Sequence, residues 1–548
     1  MIKISRFNLK PALVLLVIMI AGLLSRVYHL GFPSIGYHNM KENESLSIAQ
    51  EMQRTGDYAV SRVYFHRGLE ERPGELRTPR PPMVPYQILG AWKVFGENLW
   101  APRLVNVVFG VLSILLICRL VLLITGSLQA GVWAAFFLAT APLGVFFSRN
   151  LQPESPAFFF MLLGSWLYAR FMRRRRRRAY LISAGVSFIV SWLYAYNFLI
   201  GAVPFLFCLK LRSMKREAGL SSTVLSAAGP YLGLLAYVFV RTGRVSPGGA
   251  ILRIWEPFTP AYWQQHGRAI AWYTTGENYT YVLLFLAACG IILGAVKLRG
   301  AVKRYLLGWC VSLVLYWMFF SEELRQNSFF QMPLLALLCS SAAVAAAFFV
   351  RESRKYFKHF AVPVCAAAII GLSLPQAWRQ VQRMHGTVFL GVDAAGETLK
   401  EFTSRDERVI LFTYAQGYGI ARYAHRYAGT PATLEELKEQ EKRGVRFICF
   451  YPGDYFEMFK RRNPDMYAHI GQSYILREIG LMEHPDRLGY LILQKGVPRK
   501  PLGEMLREVR GRKEPRSVYN FQGNFIFFYT LRPAEVTGDT ENESTHNQ

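Results

Sequence analysis

The sequence predicts a polytopic α-helical membrane protein that carries a small C-terminal α/β domain outside the membrane. Hydrophobic residues make up 52% of the 548 positions and charged residues only 18%, a composition too apolar for an ordinary soluble protein. Apolar runs of about 20 residues recur through the first two thirds of the chain. The last third has no such run and alternates short apolar stretches with polar ones, which is typical of a mixed α/β domain.

The apolar runs predict about eleven transmembrane helices. The first, Pro11 to Leu24, follows Lys3, Arg6 and Lys10, and no small-residue cleavage site comes after it, so we expect an uncleaved helix with a cytoplasmic N terminus. The other predicted spans lie at about 101–123, 128–147, 154–172, 180–195, 197–209, 220–240, 279–297, 305–320, 328–349 and 360–378.

Basic residues in the short loops predict the orientation of these helices. The unbroken row Arg173 to Arg178 and the basic clusters within 210–216, 297–304 and 351–358 fall on alternate loops, which the positive-inside rule assigns to the cytoplasm. An anionic-lipid patch is the alternative for the arginine row. The formal net charge of +27 is thereby explained without a nucleic-acid partner. We expect a multi-pass protein of a bacterial-type inner membrane with its C-terminal part outside.

Three domains are predicted. Residues 1–380 form the membrane domain, with an outer loop at 31–100 that carries amphipathic surface helices. Residues 385–533 form the extracytoplasmic α/β domain, and 534–548 form a disordered tail. Strands are predicted at Val409–Thr413, Val445–Tyr451, Gly489–Gln494 and Phe525–Thr530. Six of the seven cysteines lie in apolar runs and Cys449 in the C-terminal part, so we predict neither a disulfide framework nor a zinc site.

Carboxylates at the outer boundary are the candidate catalytic groups. Glu42 and Glu44 begin a helical pattern just after the first span, and Glu154 begins a later span on the same side. Carboxylates at membrane depth are costly unless they are paired or functional. The alternative for Glu42 and Glu44 is that they are solvated carboxylates stabilised by a helix N terminus.

Cations and aromatic residues share the same predicted face. Arg80 precedes two prolines that preset the start of a helix, and Arg325 follows a later span. Headgroup snorkelling is the alternative for Arg80. The loop 241–278 contains Trp263 and His266 and is a candidate lid over the site, with membrane-interface anchoring as the alternative. Gly417-Tyr418-Gly419 resembles part of a dinucleotide motif but lacks the acidic residue such a site needs.

Taken in order, these segments resemble the GT-C superfamily of membrane glycosyltransferases, in particular the protein O-mannosyltransferase and lipid A aminoarabinosyltransferase group. The resemblance covers about residues 1–380. It departs from the family where Lys41-Glu42 replaces an Asp-Glu pair and Glu154 replaces an aspartate. The matching segments are Tyr37–Tyr58, Arg80-Pro81-Pro82, Phe95-Gly96-Glu97-Asn98 with Arg103, the loop from Arg149 to Pro153-Glu154, and Leu324-Arg325 with Pro333-Leu334.

The resemblance implies an inverting transfer of a sugar from a polyprenyl-phosphate donor to an acceptor on lipid A, a glycan or a protein. Glu42 or Glu44 would be the base, with Glu154 positioning the acceptor. Arg80, Arg103, Arg149 and Arg325 would bind the donor phosphate. Tyr37, His38, Trp263 and His266 would line the sugar or acceptor pocket. An aromatic belt at the membrane interface is the alternative for Tyr37 and His38.

Several alternatives stay open at the level of sequence. A divalent cation held by Glu42 and Glu154 is one alternative, and catalysis without any cofactor is the other. The sugar, the prenyl length and the acceptor are not specified by any motif, and we expect a monomer in contact with membrane lipids. The rival function is a non-enzymatic flippase of lipid-linked sugars, which would need polar residues in mid-span and inverted repeats, and neither is evident.

Overall fold

The computed structural model describes residues 9–66, 81–173, 178–208, 255–298, 300–482, 487–508, 514–521 and 524–532. The chain divides into two compact units. The membrane unit comprises Met1–Gly31 and Thr78–His385, and the sheet unit comprises Phe32–Arg77 and Gly386–Gln548. Arg80, Arg174 to Arg177, the predicted span at 220–240 and the predicted tail at 534–548 lie outside the described residues.

The membrane unit is helical. Its described helices are α1 (Leu9–Val27), α3 (Met83–Phe95), α4 (Trp100–Thr125), α5 (Leu128–Thr140), α6 (Pro142–Phe147), α7 (Glu154–Arg173), α8 (Arg178–Tyr194), α9 (Val203–Cys208), α10 (Pro260–Ala271), α11 (Tyr281–Val296), α12 (Ala301–Gln326), α13 (Leu335–Phe357) and α14 (Ala361–Gly386). The helix between α1 and α3 in the chain, α2 (Asn39–Thr55), belongs to the sheet unit. Helix α4 packs against α5 and α7, and α13 packs against α5 and α11.

Proline and arginine explain a break in the predicted run 128–147. Pro142 begins α6, and because proline has no N–H and clashes with the preceding turn, α5 ends at Thr140. The last carbonyls of α5 have no N–H partner within the helix and need other hydrogen-bond donors. The buried guanidinium of Arg26 supplies them, since it donates to the oxygens of Leu138 and Ala139, each at 3.1 Å.

By length and composition, three helical stretches among the described residues can cross a membrane. They are Trp100–Thr125, Ala301–Gln326 and a stretch within Ser328–Gly386. A fourth counts if Pro260–Asn278 and Tyr281–Val296, bent by 105°, form one span. Four described apolar helices are shorter than that criterion: Pro11–Val27, Leu128–Thr140, Ala179–Tyr194 and Tyr196–Cys208. The count of about eleven spans therefore stays a prediction.

The sheet unit contains a mixed β-sheet. Its described strands are β1 (Phe65–His66), β2 (Val409–Thr413), β3 (Ala428–Gly429), β4 (Phe447–Tyr451), β5 (Tyr474–Met482), β6 (Arg487–Lys495), β7 (Glu514–Phe521) and β8 (Asn524–Leu531). They lie in the order β1-β3-β2-β4-β6-β5-β8-β7. The strands from β1 to β4 pair in parallel, and the others pair antiparallel.

Helices cover the sheet over two apolar clusters. One cluster contains Val409, Leu411 and Ile492, and the other contains Ile410, Ile448 and Leu491, so neighbouring residues on one strand enter opposite clusters. The described helices of this unit are α2 (Asn39–Thr55), α15 (Val392–Phe402), α16 (Gly417–Ala424), α17 (Leu434–Lys442), α18 (Gly453–Arg462), α19 (Pro464–Ser473) and α20 (Leu502–Glu508).

Residues 32–66 group with the C-terminal part and not with the rest of 1–380, which differs from the predicted division of the chain. Strand β1 pairs in parallel with β3, and α2 packs against α16. Leu46, Ala49 and Met52, which are apolar residues of the amphipathic surface helix predicted in this loop, are buried by the chain itself. In this structure α2 is therefore a largely buried helix grouped with the sheet unit.

The glycine pair after β2 serves packing in this structure. A Cβ at Gly417 would overlap the ring of Phe65, and one at Gly419 would crowd Val392. Only glycine lets α16 approach β1 and α15 this closely. That packing explains both residues without a nucleotide.

Candidate functional site

The segment just before α2 is held in place by residues 388 and 389. Gly36 forms a β-bridge with Val388, and the N–H of Phe389 donates to the carbonyl of Ile35 at 2.7 Å. His38 then adopts a left-handed conformation with φ 57°, and α2 begins at Asn39. This turn sets the direction in which the first helical side chains point.

Glu42 lies in a buried polar cluster, which we call the Glu42 cluster and which comprises Ser34, Asn39, Glu42, Asn43 and Gln416. The Glu42 side chain is 4% exposed, and its Oε2 accepts a hydrogen bond from Ser34 Oγ at 2.6 Å. Asn43 Nδ2 donates to the Ser34 carbonyl at 2.7 Å, and Asn39 Nδ2 donates to Gln416 Oε1 at 2.8 Å. The carboxylate is thus held on a rigid element, as a catalytic base must be.

Glu44 has a different environment from Glu42. Its carboxylate pairs with Lys41 one turn earlier at 3.3 Å, and the two side chains are 20% and 56% exposed. Exposed pairs of this spacing contribute only a few tenths of a kcal/mol. Glu44 is therefore a partly solvated carboxylate near a helix N terminus, which is the alternative that the sequence left open for it. Glu42 is the better candidate for the base.

Tyr37 and His38 lie beside the Glu42 cluster. Their rings are 4.1 Å apart between centroids and tilted by 52°. Burial lowers the pKa of His38 to about 4, so the imidazole is neutral near pH 7. A neutral imidazole can accept a hydrogen bond from a sugar hydroxyl through one ring nitrogen and donate one to it through the other.

Oxygen atoms in this cluster fit a hard cation better than a soft one. Asn39 Oδ1 and Asn43 Oδ1 are buried, and neither has a hydrogen-bond partner among the described residues. Amide and carboxylate oxygens are the ligands that Mg²⁺ and Ca²⁺ prefer. No group of three His, Cys, Asp or Glu with metal-binding proximity occurs in the described ranges. Glu42, Asn39 and Asn43 are the residues that would hold such a cation.

In the membrane unit, the structure brings two of the predicted phosphate-binding arginines together. Arg103 donates to the carbonyl of Leu30 at 2.9 Å, and Arg149 donates to the carbonyl of His29 at 2.8 Å. Both side chains are buried. They fix the turn that follows α1 and concentrate positive charge there. Burial lowers the pKa of His29, and the charge of Arg149 lowers it further.

Glu154 begins α7 and is buried, so its carboxylate lies in the first helical turn, where the helix dipole favours negative charge. The loop before it is held by Asn106 on α4. Asn106 Nδ2 donates to the carbonyls of Asn150 and Gln152, and Gln87 Nε2 donates to Asn106 Oδ1 at 2.7 Å. Asn106 and Gln87 were not predicted from the sequence, because single amides inside helices carry no motif.

The other predicted residues of the membrane unit lie on α10 and α12. Arg325 makes an ion pair with Glu322 one turn earlier. Trp263 is 45% exposed, stacks near Trp317 with ring centroids 5.3 Å apart, and donates from its indole to the Pro257 carbonyl at 2.7 Å. His266 lies against the ring of Tyr262 at 5.2 Å. The described part of the predicted lid, from residue 255 on, is largely helical and contains α10.

The predicted site residues therefore fall in both units. Glu42, Glu44, Tyr37 and His38 belong to the sheet unit, whereas Glu154, Arg103, Arg149, Arg325, Trp263 and His266 belong to the membrane unit. Within the sheet unit, Ser34 contacts Glu42 and Gln416 contacts Asn39, one turn earlier on α2. Gln416 is 377 residues from the Asn39 it contacts, so no local pattern could have found it.

Comparison with known sequences gives two partial matches. Residues 79–240 match the family model for dolichyl-phosphate-mannose-protein mannosyltransferases. An uncharacterized protein of Aquifex aeolicus is 27% identical over 201 residues, which are 36% of this chain and 38% of that protein. The match thus spans well under half of the relative's length.

Comparison of folds gives matches over nearly the whole chain. The apo oligosaccharyltransferase of Archaeoglobus fulgidus has a TM-score of 0.60 at 14% identity, covering 90% of this chain and 75% of that one. The same archaeal enzyme with an inhibitory peptide and a dolichol-phosphate gives 0.58 at 14% identity, with the same coverage. Apo ArnT of Cupriavidus metallidurans gives 0.51 at 14% identity, covering 88% and 97%. At these identities the matches establish a shared fold.

Proposed function

We propose that this chain, which has the fold of GT-C membrane glycosyltransferases, transfers a sugar from a polyprenyl-phosphate donor to an acceptor hydroxyl or phosphate at the outer face of the membrane. The fold match over 90% of the chain to an enzyme seen with a dolichol-phosphate is the observation that carries this proposal. The match of residues 79–240 to a dolichyl-phosphate-mannose-dependent family supports the same donor class. We propose a bacterial inner membrane as its location, with a cytoplasmic N terminus.

Glu42 is the proposed base. As the acceptor oxygen attacks the anomeric carbon, its proton passes to the Glu42 carboxylate. The bond between that carbon and the phosphate oxygen breaks, and the electron pair leaves with the polyprenyl phosphate. A single displacement inverts the anomeric centre. The hydrogen bond from Ser34 holds one carboxylate oxygen at 2.6 Å and so orients the other.

The leaving phosphate gains negative charge, so cations lower the barrier. Arg103 and Arg149 each donate to a carbonyl of the turn after α1, which holds their positive charge in a fixed position. Arg325 is less buried, and its pairing with Glu322 on the same helix leaves an exposed flank. Arg80, Arg103, Arg149 and Arg325 are the proposed phosphate-binding cations, and Glu154 is the proposed acceptor-positioning carboxylate.

A divalent cation bound at Glu42, Asn39 and Asn43 would supply extra stabilisation of developing negative charge. The proposed proton transfer to Glu42 does not depend on it. Tyr37 and His38, next to that carboxylate, are proposed to contact sugar or acceptor hydroxyl groups. Trp263 and His266 are proposed to line the donor side.

The first prediction tests the base. In purified protein reconstituted into vesicles with a radiolabelled polyprenyl-phosphate sugar, Glu42→Gln should lower the transfer rate by roughly 10²- to 10⁴-fold, because an amide cannot accept the proton. Glu44→Gln should stay within about threefold of wild type, since Glu44 is a surface-paired carboxylate. Glu154→Gln should raise KM for the acceptor more than it lowers kcat.

Thermal unfolding of each variant is the control for folding. If folded Glu42→Gln transferred sugar at the wild-type rate, the assignment of the base would fail. If wild-type vesicles moved labelled donor across the bilayer without forming any glycosylated product from a panel of envelope lipids, glycans and proteins, the flippase alternative would replace the proposed activity.

A further inference from the structure

The sheet unit contains a pocket whose lining includes no residue of the Glu42 cluster. Its volume is about 590 Å³, which is within the range typical of small-molecule sites. Residues of α2 and of the segment before β1 form one wall, and residues between 400 and 427 form the other. Both walls belong to the sheet unit.

Positive charge dominates the lining of this pocket. Five cationic side chains line it against two carboxylates, Glu51 and Asp406, which leaves a formal excess of three positive charges. The cations are Arg54, Lys400, Arg405, Arg408 and Arg426. Lys400 and Arg405 are exposed, and within the described ranges neither forms an ion pair with a carboxylate. Such a concave surface of one sign concentrates anions.

Arg426 adds a buried cation whose hydrogen bonds go to neutral oxygens. Its side chain is 7% exposed, and Nε donates to Thr403 Oγ1 at 2.9 Å while Nη2 donates to the Thr403 carbonyl at 2.6 Å. Burial lowers the pKa of Arg426, which is the expected sign for a cation that has lost water. An anion in the pocket would offset that cost.

Glu51 is already subtracted in this charge balance, and its partners are residues of the pocket lining. The side chain is 1% exposed, and its oxygens accept hydrogen bonds from Arg54 and from the hydroxyl of Tyr427. Burial alone would raise the pKa of Glu51, but these hydrogen bonds outweigh it and lower the pKa. The carboxylate thus fixes Arg54 and Tyr427 in place at the pocket wall.

Three aromatic rings complete the pocket. Tyr64 packs edge-on against Tyr427 with centroids 5.7 Å apart and lies 6.1 Å from the ring of His425. Tyrosine presents an apolar face and a polar hydroxyl, a combination that suits a ring bearing hydroxyl groups. From the cations, the rings and the volume, we propose that this pocket binds an acidic sugar, that is, a saccharide unit carrying a phosphate or a carboxylate.

The pocket is separate from the proposed base. Glu42 and Glu51 are nine residues apart on α2, which at about 100° per residue puts them on opposite faces of the helix and roughly 14 Å apart along its axis. A ligand in the pocket therefore does not need Glu42. The site goes beyond the proposed transfer reaction and stands or falls independently of it.

The test is titration calorimetry on the full-length protein in nanodiscs at low ionic strength. Glucose 6-phosphate and glucuronate should each bind saturably, with glucose as the neutral control and inorganic phosphate as the control for the bare anion. Binding should weaken several-fold in 0.5 M NaCl because the attraction is screened. The double variant Lys400→Gln/Arg405→Gln should weaken it by about tenfold or more, since both cations are lost from the mouth of the pocket.

Arg461→Gln on α18 is the matched control, because it removes an exposed cation outside the pocket, and Glu42→Gln should also bind normally. Loss of binding in the double variant with retention in both controls supports the site. Absence of saturable binding by either acidic sugar, or unchanged binding in the double variant, overturns it. Binding of inorganic phosphate as tight as that of glucose 6-phosphate overturns the assignment of a sugar ligand.

Discussion

Buried carboxylates in the sheet unit differ in what holds them. Glu51 contacts Arg54, and Glu478 accepts hydrogen bonds from Thr398, Tyr490 and Arg532, so each carries a nearby compensating cation. Pairs of this kind are typical of structural carboxylates, because they repay the cost of burial. Glu42 accepts a hydrogen bond from the hydroxyl of Ser34 at 2.6 Å. This bond fixes the orientation of the carboxylate, as a base requires.

His38 gives the second prediction, which concerns pH. Its pKa is about 4 in the folded protein and 6.5 in a solvated chain, so the unfolded state binds a proton more readily between these values. Stability should therefore fall as the pH drops from about 6.5 to about 4. His38→Asn keeps a residue that tolerates the left-handed conformation and removes the titrating group.

The measurement is thermal unfolding of both proteins between pH 7 and pH 4. Wild type should lose about 1 to 3 kcal/mol more than His38→Asn across this window. Parallel curves for the two proteins would show that His38 does not titrate in the way its burial requires.

At the scale of elements, the sequence predicts those helices and strands whose residues form one continuous apolar run. Apolar runs at 101–123 and 154–172 coincide with α4 and α7, and the predicted strand Val409–Thr413 is β2. Strands β1 and β3 were not predicted, because two residues carry no periodic signal and their pairing joins Phe65 to Ala428. Distance along the chain also explains which contacts of the Glu42 cluster are predictable. Ser34 and Glu42 are close in the sequence, whereas Asn39 and Gln416 are 377 residues apart, so no sequence pattern indicates their contact.

The third prediction concerns close packing of α11 against α13 in the membrane unit. A Cβ at Gly290 would overlap the backbone carbonyl of Ser341, so the two helices approach to a distance that only glycine permits. Gly290→Ala must push the helices apart, which should cost about 1 to 3 kcal/mol. Thermal unfolding in detergent, followed by tryptophan fluorescence, measures the loss.

Gly371→Ala is the matched control, because a Cβ there meets no atom within 4 Å and α14 should gain from alanine's helix propensity. Equal stability of Gly290→Ala and Gly371→Ala would mean that the α11–α13 contact is looser than the structure has it.

At the scale of the whole molecule, the sheet unit is built from two distant pieces of chain. Ile35, Tyr64 and Phe65 belong to the same apolar cluster as Val392, Ile420 and Tyr490. The first piece also provides Glu42 and the pocket wall with Glu51 and Arg54. Both candidate sites of the sheet unit therefore depend on residues 32–66 joining a sheet whose other strands begin more than 300 residues later. A segment that looks like a loop of the membrane domain is structurally part of the C-terminal one.

The last prediction follows from this division. A fragment of residues 386–532 lacks Ile35, Tyr64 and Phe65, which are buried in the same apolar cluster as Val392, Ile420 and Tyr490. At about 2 kcal/mol for each large apolar side chain, their loss approaches the 5 to 15 kcal/mol that stabilises a typical domain. The fragment alone should unfold without a cooperative transition. Residues 32–66 joined to it through a flexible Gly/Ser linker of about 20 residues should restore a cooperative transition.

Phe65→Asp in the joined protein is the control, and it should abolish the transition again. A fragment of 386–532 that unfolds cooperatively by itself would contradict the prediction, because residues 32–66 would then only bind to a domain that is already folded.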